Sequence, residues 1–193
     1  MSIFKQKELK MAERFGCMAV GMDIDHSFSA NGSYDSVFGI AMKSQSSEDL
    51  KRYIDSVSVP FVVKGVMSPS DAEKCRKIGA AGIVVSHHHG MVDYSIPPLM
   101  ALPEILKVSG DMAVFVDCGV ASGMDVYKAL ALGATAVSVG RHLMPYLKDG
   151  AGSVAGRIRE MDAELRGVMA RTGVKDLSSM DPTVIHSYGF FAR

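Results

Sequence analysis

The chain contains four short, continuously apolar runs, and polar or glycine residues follow each of them at once. Runs of this kind are typical of strands that are buried on both faces, as in a parallel sheet. Segments with helical periodicity separate the runs, and a regular alternation of strand and helix predicts right-handed crossovers within a parallel sheet. The runs and the residues that end them occupy 60–65, 83–90, 114–119 and 136–141.

A further strand precedes these runs, so the sequence predicts an α/β fold with five parallel strands and flanking helices. Ser46 and Ser68 are expected helix N-caps, and Gly133 is an expected helix end. Neither a linker nor a low-complexity segment interrupts 1–193, which predicts a single domain. Strands are predicted at 17–24, 61–64, 82–86, 112–116 and 136–139, helices at 5–15, 46–57, 69–79, 97–108, 122–132, 153–171 and 175–180, and a polar, turn-rich loop at 27–40.

The composition of the chain argues against nucleic acid, a membrane and zinc as binding partners. Lys and Arg together number 21, and so do Asp and Glu, so the charge balance does not favour a nucleic-acid binder. No apolar stretch approaches the roughly 18 residues that a membrane helix needs, and the first ten residues lack a secretory apolar core. Cys17, Cys75 and Cys118 are widely spaced and fit no zinc pattern. We therefore expect free thiols in a cytoplasmic protein.

Chemically useful side chains follow the predicted strands. In α/β folds, ligands bind at the carboxyl ends of the strands. Lys64 ends one strand, a histidine triplet follows the next, and glycine turns at Gly119 and Gly140 follow the last two. We expect these groups to meet at a common rim of the sheet.

The histidine triplet also suggests a metal site, which we judge against. Consecutive strand residues point to opposite faces, so at most two of His87, His88 and His89 face one metal. Neither a cysteine nor a His-x-x-x-His helix completes a ligand set, and His26 is the one extra candidate. The sequence therefore predicts no metal.

Several ordered motifs resemble one family, the FMN-dependent 2-hydroxy acid oxidases and dehydrogenases, to which glycolate oxidase and L-lactate oxidase belong. The resemblance covers the C-terminal portion of that family, whose fold is an eight-stranded (β/α)8 TIM barrel. It therefore implies a partial barrel, and we expect a fragment, because five strands cannot close a barrel of eight. The motifs occupy 63–65, 79–86, 117–120, 125–134 and 139–141.

The resemblance implies FMN as cofactor and assigns three catalytic residues. Lys64 is expected near flavin N1 and O2, where a cation stabilises the reduced, anionic flavin. His88 is expected to be the general base on the substrate hydroxyl as hydride leaves for flavin N5. Asp25 is expected to orient this histidine and to stabilise its protonated form. An alignment on the following glycine selects His89 instead of His88, so both are candidates for substrate binding.

The resemblance also implies a set of cofactor contacts, and this sequence departs from the family at three positions. Asp23 stands where the family has a threonine that accepts from flavin N3–H. Met91 replaces the arginine that binds the substrate carboxylate, and Ala121 replaces an arginine on the FMN phosphate. The expected cofactor-binding residues are Lys64, Asp23, Ser86, Asp117, Gly119, Gly140 and Arg141.

Three functions remain open from the sequence. The first is an FMN-dependent oxidoreductase acting on a 2-hydroxy acid, assembled as a homo-oligomer as the family often is. The second is a catalytically inactive or truncated remnant, which Met91 and the missing strands favour for this chain taken alone. The third is another phosphate-recognising barrel enzyme, which has no need of Lys64, His88 and Asp25 together.

Overall fold

The computed structural model describes residues 3–26, 33–37, 39–88 and 94–186. It consists of two compact units, one up to Cys118 and one from Gly119 onward. The single domain predicted from the sequence stays a prediction.

The first unit is built on a parallel sheet. Strands β1 (Val20–Asp23), β4 (Phe61–Lys64), β5 (Gly82–Val85) and β6 (Ala113–Val116) lie in that order and pair in parallel. A separate antiparallel hairpin joins β2 (Ser36–Val37) to β3 (Ile40–Ala41). The helices are α1 (Ile3–Arg14), α2 (Ser47–Ile54), α3 (Pro69–Lys77) and α4 (Pro98–Ser109).

The apolar runs form the core of this sheet, as the sequence predicts. Val63, Ile83, Val85 and Val116 are fully buried, and Val114 is nearly so. Along the chain, a helix lies between each of these four parallel strands and the next. In consequence the carboxyl ends of β1, β4 and β5 lie side by side at one edge of the sheet.

The second unit consists mainly of two packed helices. It contains α5 (Gly123–Leu132), β7 (Ala136–Val137), a long 3₁₀ helix (Arg141–Asp149), α6 (Ala151–Thr172) and two short 3₁₀ turns (Leu177–Ser179 and Pro182–Val184). Tyr127 and Val168 are core residues here, and the Tyr127 hydroxyl donates to Thr172 Oγ1 at 2.9 Å. Gly123 lets the helices approach closely, since a Cβ atom there would lie 2.3 Å from the backbone of α6.

Most predicted elements are confirmed. All five strands and six of the seven predicted helices are present, with Ser46 and Ser68 as N-caps and Gly133 as a left-handed C-cap. The hairpin β2–β3 was missed, because its short strands lie in a stretch read as loop. The last strand is shorter than predicted and ends at Val137, and in place of the helix predicted at 175–180 the structure has a 3₁₀ turn, Leu177–Ser179. Within the part of the chain that the structure describes, no helix has the length and apolar character to cross a bilayer.

Candidate active site

Four ionisable side chains meet at the carboxyl ends of three neighbouring strands. Asp23 is the last residue of β1, Lys64 is the last residue of β4, and the two residues pair directly in the register. Asp25 follows β1 by two residues, and His88 follows β5 by three. The parallel register therefore brings together residues that lie up to 65 positions apart, between Asp23 and His88.

Asp23 and Lys64 form an ion pair. Lys64 Nζ donates to Asp23 Oδ2 at 2.8 Å, and both side chains are roughly three-quarters buried. Burial lowers the pKa of Lys64, but the hydrogen bond and the charge of Asp23 outweigh it, so the pKa is raised. Lys64 is therefore held as an ammonium group, with a carboxylate against it.

His88 lies against both carboxylates. Its Nδ1 is 3.0 Å from Asp23 Oδ2, 3.2 Å from Asp25 Oδ1 and 3.2 Å from Lys64 Nζ. An ammonium group has only protons to offer, so Lys64 pairs with Nδ1 only when that nitrogen carries the lone pair. Two carboxylate oxygens favour the opposite arrangement, in which Nδ1 carries the proton and donates. In this tautomer Nε2 holds the lone pair and is the basic nitrogen.

Asp25 is the most buried member of the cluster. Its side chain is 10% exposed, and its Oδ2 finds no hydrogen-bond donor among the residues that the structure describes. Burial, followed by the hydrogen bond and charge of Asp23, raises the pKa of Asp25 to about 7. Burial also raises the pKa of Asp23, but hydrogen bonds from Asp25 and Lys64 outweigh it and hold that pKa below its usual value. Of the two carboxyl groups, Asp23 is thus the one that stays ionised near neutral pH.

The backbone around the cluster is unusual at two positions. Gly65 has φ +99°, and a Cβ atom there would lie 2.8 Å from Cβ and Cγ of Asp25. His88 has φ +51°, and its N–H donates to the hydroxyl of Ser86, a fully buried residue, at 3.3 Å. Left-handed backbone is uncommon outside glycine and concentrates at functional sites. Both positions bring a member of the cluster into place.

A second histidine borders the cluster. The His26 ring meets the His88 ring edge-on, with 4.6 Å between centroids, and His26 Nδ1 lies 2.8 Å from Asp35 Oδ2. Sequence reasoning considered His26 only as an extra metal ligand and did not single out Asp35. The one signal in the sequence was that His26 directly follows Asp25.

The remaining predicted cofactor residues are found in different places. Asp117 Oδ1 accepts from Cys118 Sγ at 2.9 Å, and Cys118 Sγ lies 3.6 Å from Ser86 Oγ, so these three residues form a second small network. Gly119, Gly140 and Arg141 belong to the second unit, where Arg141 begins the 3₁₀ helix. Their convergence with Lys64 stays a prediction. His89 and Met91 lie outside the described residues.

The cluster also contains ligand-type atoms close enough for a cation. Asp23 and Asp25 each contribute a carboxyl oxygen and His88 contributes a ring nitrogen, and these three atoms all lie within 4.8 Å of one another. The Lys64 ammonium already contacts Asp23 Oδ2 at 2.8 Å and supplies positive charge at this place. The arrangement is that of an acid–base site with its own internal cation, and the absence of a metal stays a prediction.

The strand–helix repeats, with acid–base residues at the carboxyl ends of the strands, define a protein of the α/β barrel class. A family model described as FMN-dependent dehydrogenase matches residues 29–187. This match covers most of the chain, and the chain therefore belongs to the family of FMN-dependent dehydrogenases.

Curated relatives agree with this assignment. An L-lactate dehydrogenase of Caulobacter vibrioides is 41% identical over 140 residues, which are 71% of this chain and 37% of the relative. An L-lactate oxidase of Roseobacter sp. (strain GAI101) is 37% identical over 153 residues, 78% of this chain and 41% of the relative. Glycolate oxidase 3 of Arabidopsis thaliana is 40% identical over 152 residues, which are 77% of this chain and 41% of the relative. The matched part of the chain thus spans about two fifths of the length of these relatives.

Solved structures show the same fold. A crystal structure of mandelate oxidase superposes with a TM-score of 0.82 at 28% identity, over 93% of this chain and 59% of that one. A mandelate oxidase variant with a C4a-OH-FMN adduct gives a TM-score of 0.81 at 30% identity, over 92% of this chain and 58% of that one. The predicted fold class, a partial barrel of the FMN-linked type, is therefore confirmed.

Proposed function

We propose that the chain forms the cofactor-facing part of an FMN-dependent oxidoreductase that oxidises the CH–OH group of a 2-hydroxy acid to a 2-oxo acid. The observation that carries the proposal is the convergence of Lys64, His88 and the two aspartates at the carboxyl ends of β1, β4 and β5. Generic phosphate-binding barrels have no need of such a cluster. Relatives named for lactate, glycolate and mandelate support the substrate class.

The residues present fit FMN. Lys64 offers an ammonium group at the end of a buried strand, which suits the flavin edge that gains negative charge on reduction. Ser86, Asp23 and Asp117 are the further candidates beside the ring system. Backbone N–H groups around Gly119 and Gly140, together with Arg141, are the candidates for the phosphate, with Ala121 in place of one further arginine.

His88 is the proposed base. When bound, FMN supplies the acceptor for the hydride that leaves the substrate carbon with its electron pair. Nε2 of His88 takes the hydroxyl proton, so that the C–O single bond becomes a carbonyl and no further reactant is needed. The imidazolium formed is stabilised through Nδ1, which lies 3.0 Å from Oδ2 of the Asp23 carboxylate and 3.2 Å from Oδ1 of Asp25. His89 is the second candidate for substrate contact.

The proposal extends to the domain, the cellular compartment and the oligomeric state of the chain. We infer that both compact units are parts of one FMN-binding domain, as the family model across 29–187 supports. The three cysteines are free thiols, which supports a cytoplasmic protein. The resemblance to the family supports a homo-oligomer, and light scattering of the purified chain measures its mass.

The test is reconstitution with FMN followed by anaerobic addition of L-lactate or glycolate. We expect flavin absorption to co-purify with the chain and to bleach on addition of substrate. His88→Asn is expected to retain the flavin and to slow bleaching about 10²–10⁴-fold, because only proton transfer is lost. A chain that binds no FMN would refute the proposal. Bound flavin that neither substrate reduces would favour the inactive remnant, and restoration by Met91→Arg would trace the loss to the missing carboxylate ligand.

A further inference from the structure

Asp23 makes more contacts within the cluster than its predicted role requires. The sequence resemblance gives it one task, to replace a neutral threonine that accepts from the flavin. In the structure its Oδ2 accepts from Lys64 at 2.8 Å and lies 3.0 Å from His88 Nδ1, and its Oδ1 accepts from the backbone N–H of Asp25 at 3.3 Å. A threonine has no charge to offer Lys64 or His88. The substitution therefore changes the electrostatics of the cluster.

Building on the proposed function, we propose that Asp23 is a positioning residue that serves as the charged partner of both Lys64 and His88 and, through its negative charge, keeps Asp25 protonated. Asp25, which the sequence resemblance makes the carboxylate of the histidine, is then the protonated member of the pair. The cluster holds one negative charge, on Asp23, against the one positive charge of Lys64.

The surroundings of Asp25 support this distribution of charge. An ionised carboxylate with one buried oxygen that lacks a donor costs more free energy than an uncharged, protonated carboxyl group at the same place. Oδ2 of Asp25 is such an oxygen among the described residues, and the side chain is nine-tenths buried. Asp23, by contrast, has the Lys64 ammonium against it. The directions of the two pKa shifts agree with this assignment, since that of Asp25 is raised and that of Asp23 is lowered.

Charged groups on neighbouring elements also act on Asp25 and His88. Asp117, after β6, adds negative charge that raises the pKa of Asp25 further, while Lys64 opposes it. His26 packs against the His88 ring, and its own Nδ1 faces Asp35. With Asp25 protonated and His88 neutral, Asp23 and Lys64 balance each other.

The balance has a consequence for the flavin. A lysine whose charge is compensated by Asp23 stabilises a neighbouring negative charge less than an uncompensated one does. Replacing Asp23 by threonine removes the compensation. We therefore expect the Asp23→Thr protein to bind FMN with a higher midpoint potential than the unmodified chain.

The primary experiment needs no cofactor. The full chain, labelled with ¹³C at the aspartate carboxyl groups, is titrated by NMR. We expect one resonance with a midpoint near pH 7, which Asp25→Asn removes. In Asp23→Asn, which is isosteric and uncharged, that midpoint should fall by at least about one pH unit, because the like charge beside Asp25 is gone. Asp111→Asn, an exposed change outside the cluster, should leave it in place.

Two outcomes would overturn the inference. One is an unmodified chain in which no aspartate titrates between about pH 6 and 8. The other is an Asp23→Asn protein in which the titration midpoint of Asp25 does not move. Burial, and not the charge of Asp23, would then be what raises the pKa of Asp25. Both outcomes are read without FMN, so a failure to bind FMN would refute the proposed function and not the distribution of charge between Asp23 and Asp25. If FMN binds, a midpoint potential that is equal or lower in Asp23→Thr would also count against the inference.

Discussion

Gly65 links the backbone after β4 to the position of Asp25, and Gly65→Ala tests that link. Two costs are expected. Alanine at φ +99° destabilises the folded chain by about 1–2 kcal/mol, because left-handed backbone is unfavourable for a residue with a Cβ atom. Its Cβ would also lie 2.8 Å from Cβ and Cγ of Asp25 and 3.0 Å from the backbone nitrogen of that residue, so Asp25 must shift. Displacing a packed side chain and its backbone adds about 1–3 kcal/mol.

Gly79→Ala is the matched control. Gly79 also has a left-handed backbone, with φ +86°, but a Cβ atom there meets nothing within 4 Å. Gly79→Ala should therefore lose only the free energy of the left-handed backbone, about 1–2 kcal/mol. Urea unfolding followed by circular dichroism measures the free energy of unfolding of both variants. Gly65→Ala should be the less stable of the two by about 1–3 kcal/mol, and by more than the error of the extrapolation.

Equal stability of the two variants would refute the reasoning. It would mean that Asp25 moves away from the new methyl group at no cost, and hence that it is not held tightly at its place beside His88. A shift of the Asp25 carboxyl resonance in Gly65→Ala, without a shift in Gly79→Ala, is the site-specific counterpart of the same prediction.

The raised pKa of Asp25 makes the stability of the chain depend on pH. Because this pKa rises from 3.8 in the unfolded chain to about 7 in the folded one, the contribution of Asp25 to stability is present below about pH 4 and is lost as the pH rises through 7. Urea unfolding at a series of pH values, compared between the unmodified chain and Asp25→Asn, measures this contribution. Lys64→Met leaves Asp23 without its cation and should cost about 1–3 kcal/mol, part of which Asp23→Asn restores in the double variant. Gly123→Ala should destabilise the second unit by about 2 kcal/mol or more, read by thermal unfolding, because the added Cβ would lie 2.3 Å from the backbone of Met161 and Leu165.

The sequence predicted the members of the cluster better than their contacts. Lys64 was found because a charged residue that ends an apolar strand of an α/β fold falls where ligands bind. The ion pair between Asp23 and Lys64 was not found, since it depends on the register between strands 41 residues apart. No local pattern in either strand encodes that register.

Two other features were missed for a different reason. The hairpin β2–β3 consists of two-residue strands, too short for alternating polarity to be recognised. The 3₁₀ helix Arg141–Asp149 lies between Gly140 and Gly150 and contains Pro145, and these residue types are typical of loops. Both elements lie outside the apolar runs, so burial gave no signal for them.

A single oxygen connects the two halves of the proposed chemistry. Oδ2 of Asp23 lies 2.8 Å from the ammonium group that is expected to face the flavin and 3.0 Å from the imidazole that is expected to take the proton. When His88 becomes charged, it draws on the same negative charge that compensates Lys64. The electrostatic effect of Lys64 and the basicity of His88 are therefore not independent in this chain. Asp23→Asn should alter both the flavin midpoint potential and the pH dependence of substrate bleaching, and a change in only one of them would show that the oxygen serves only one partner.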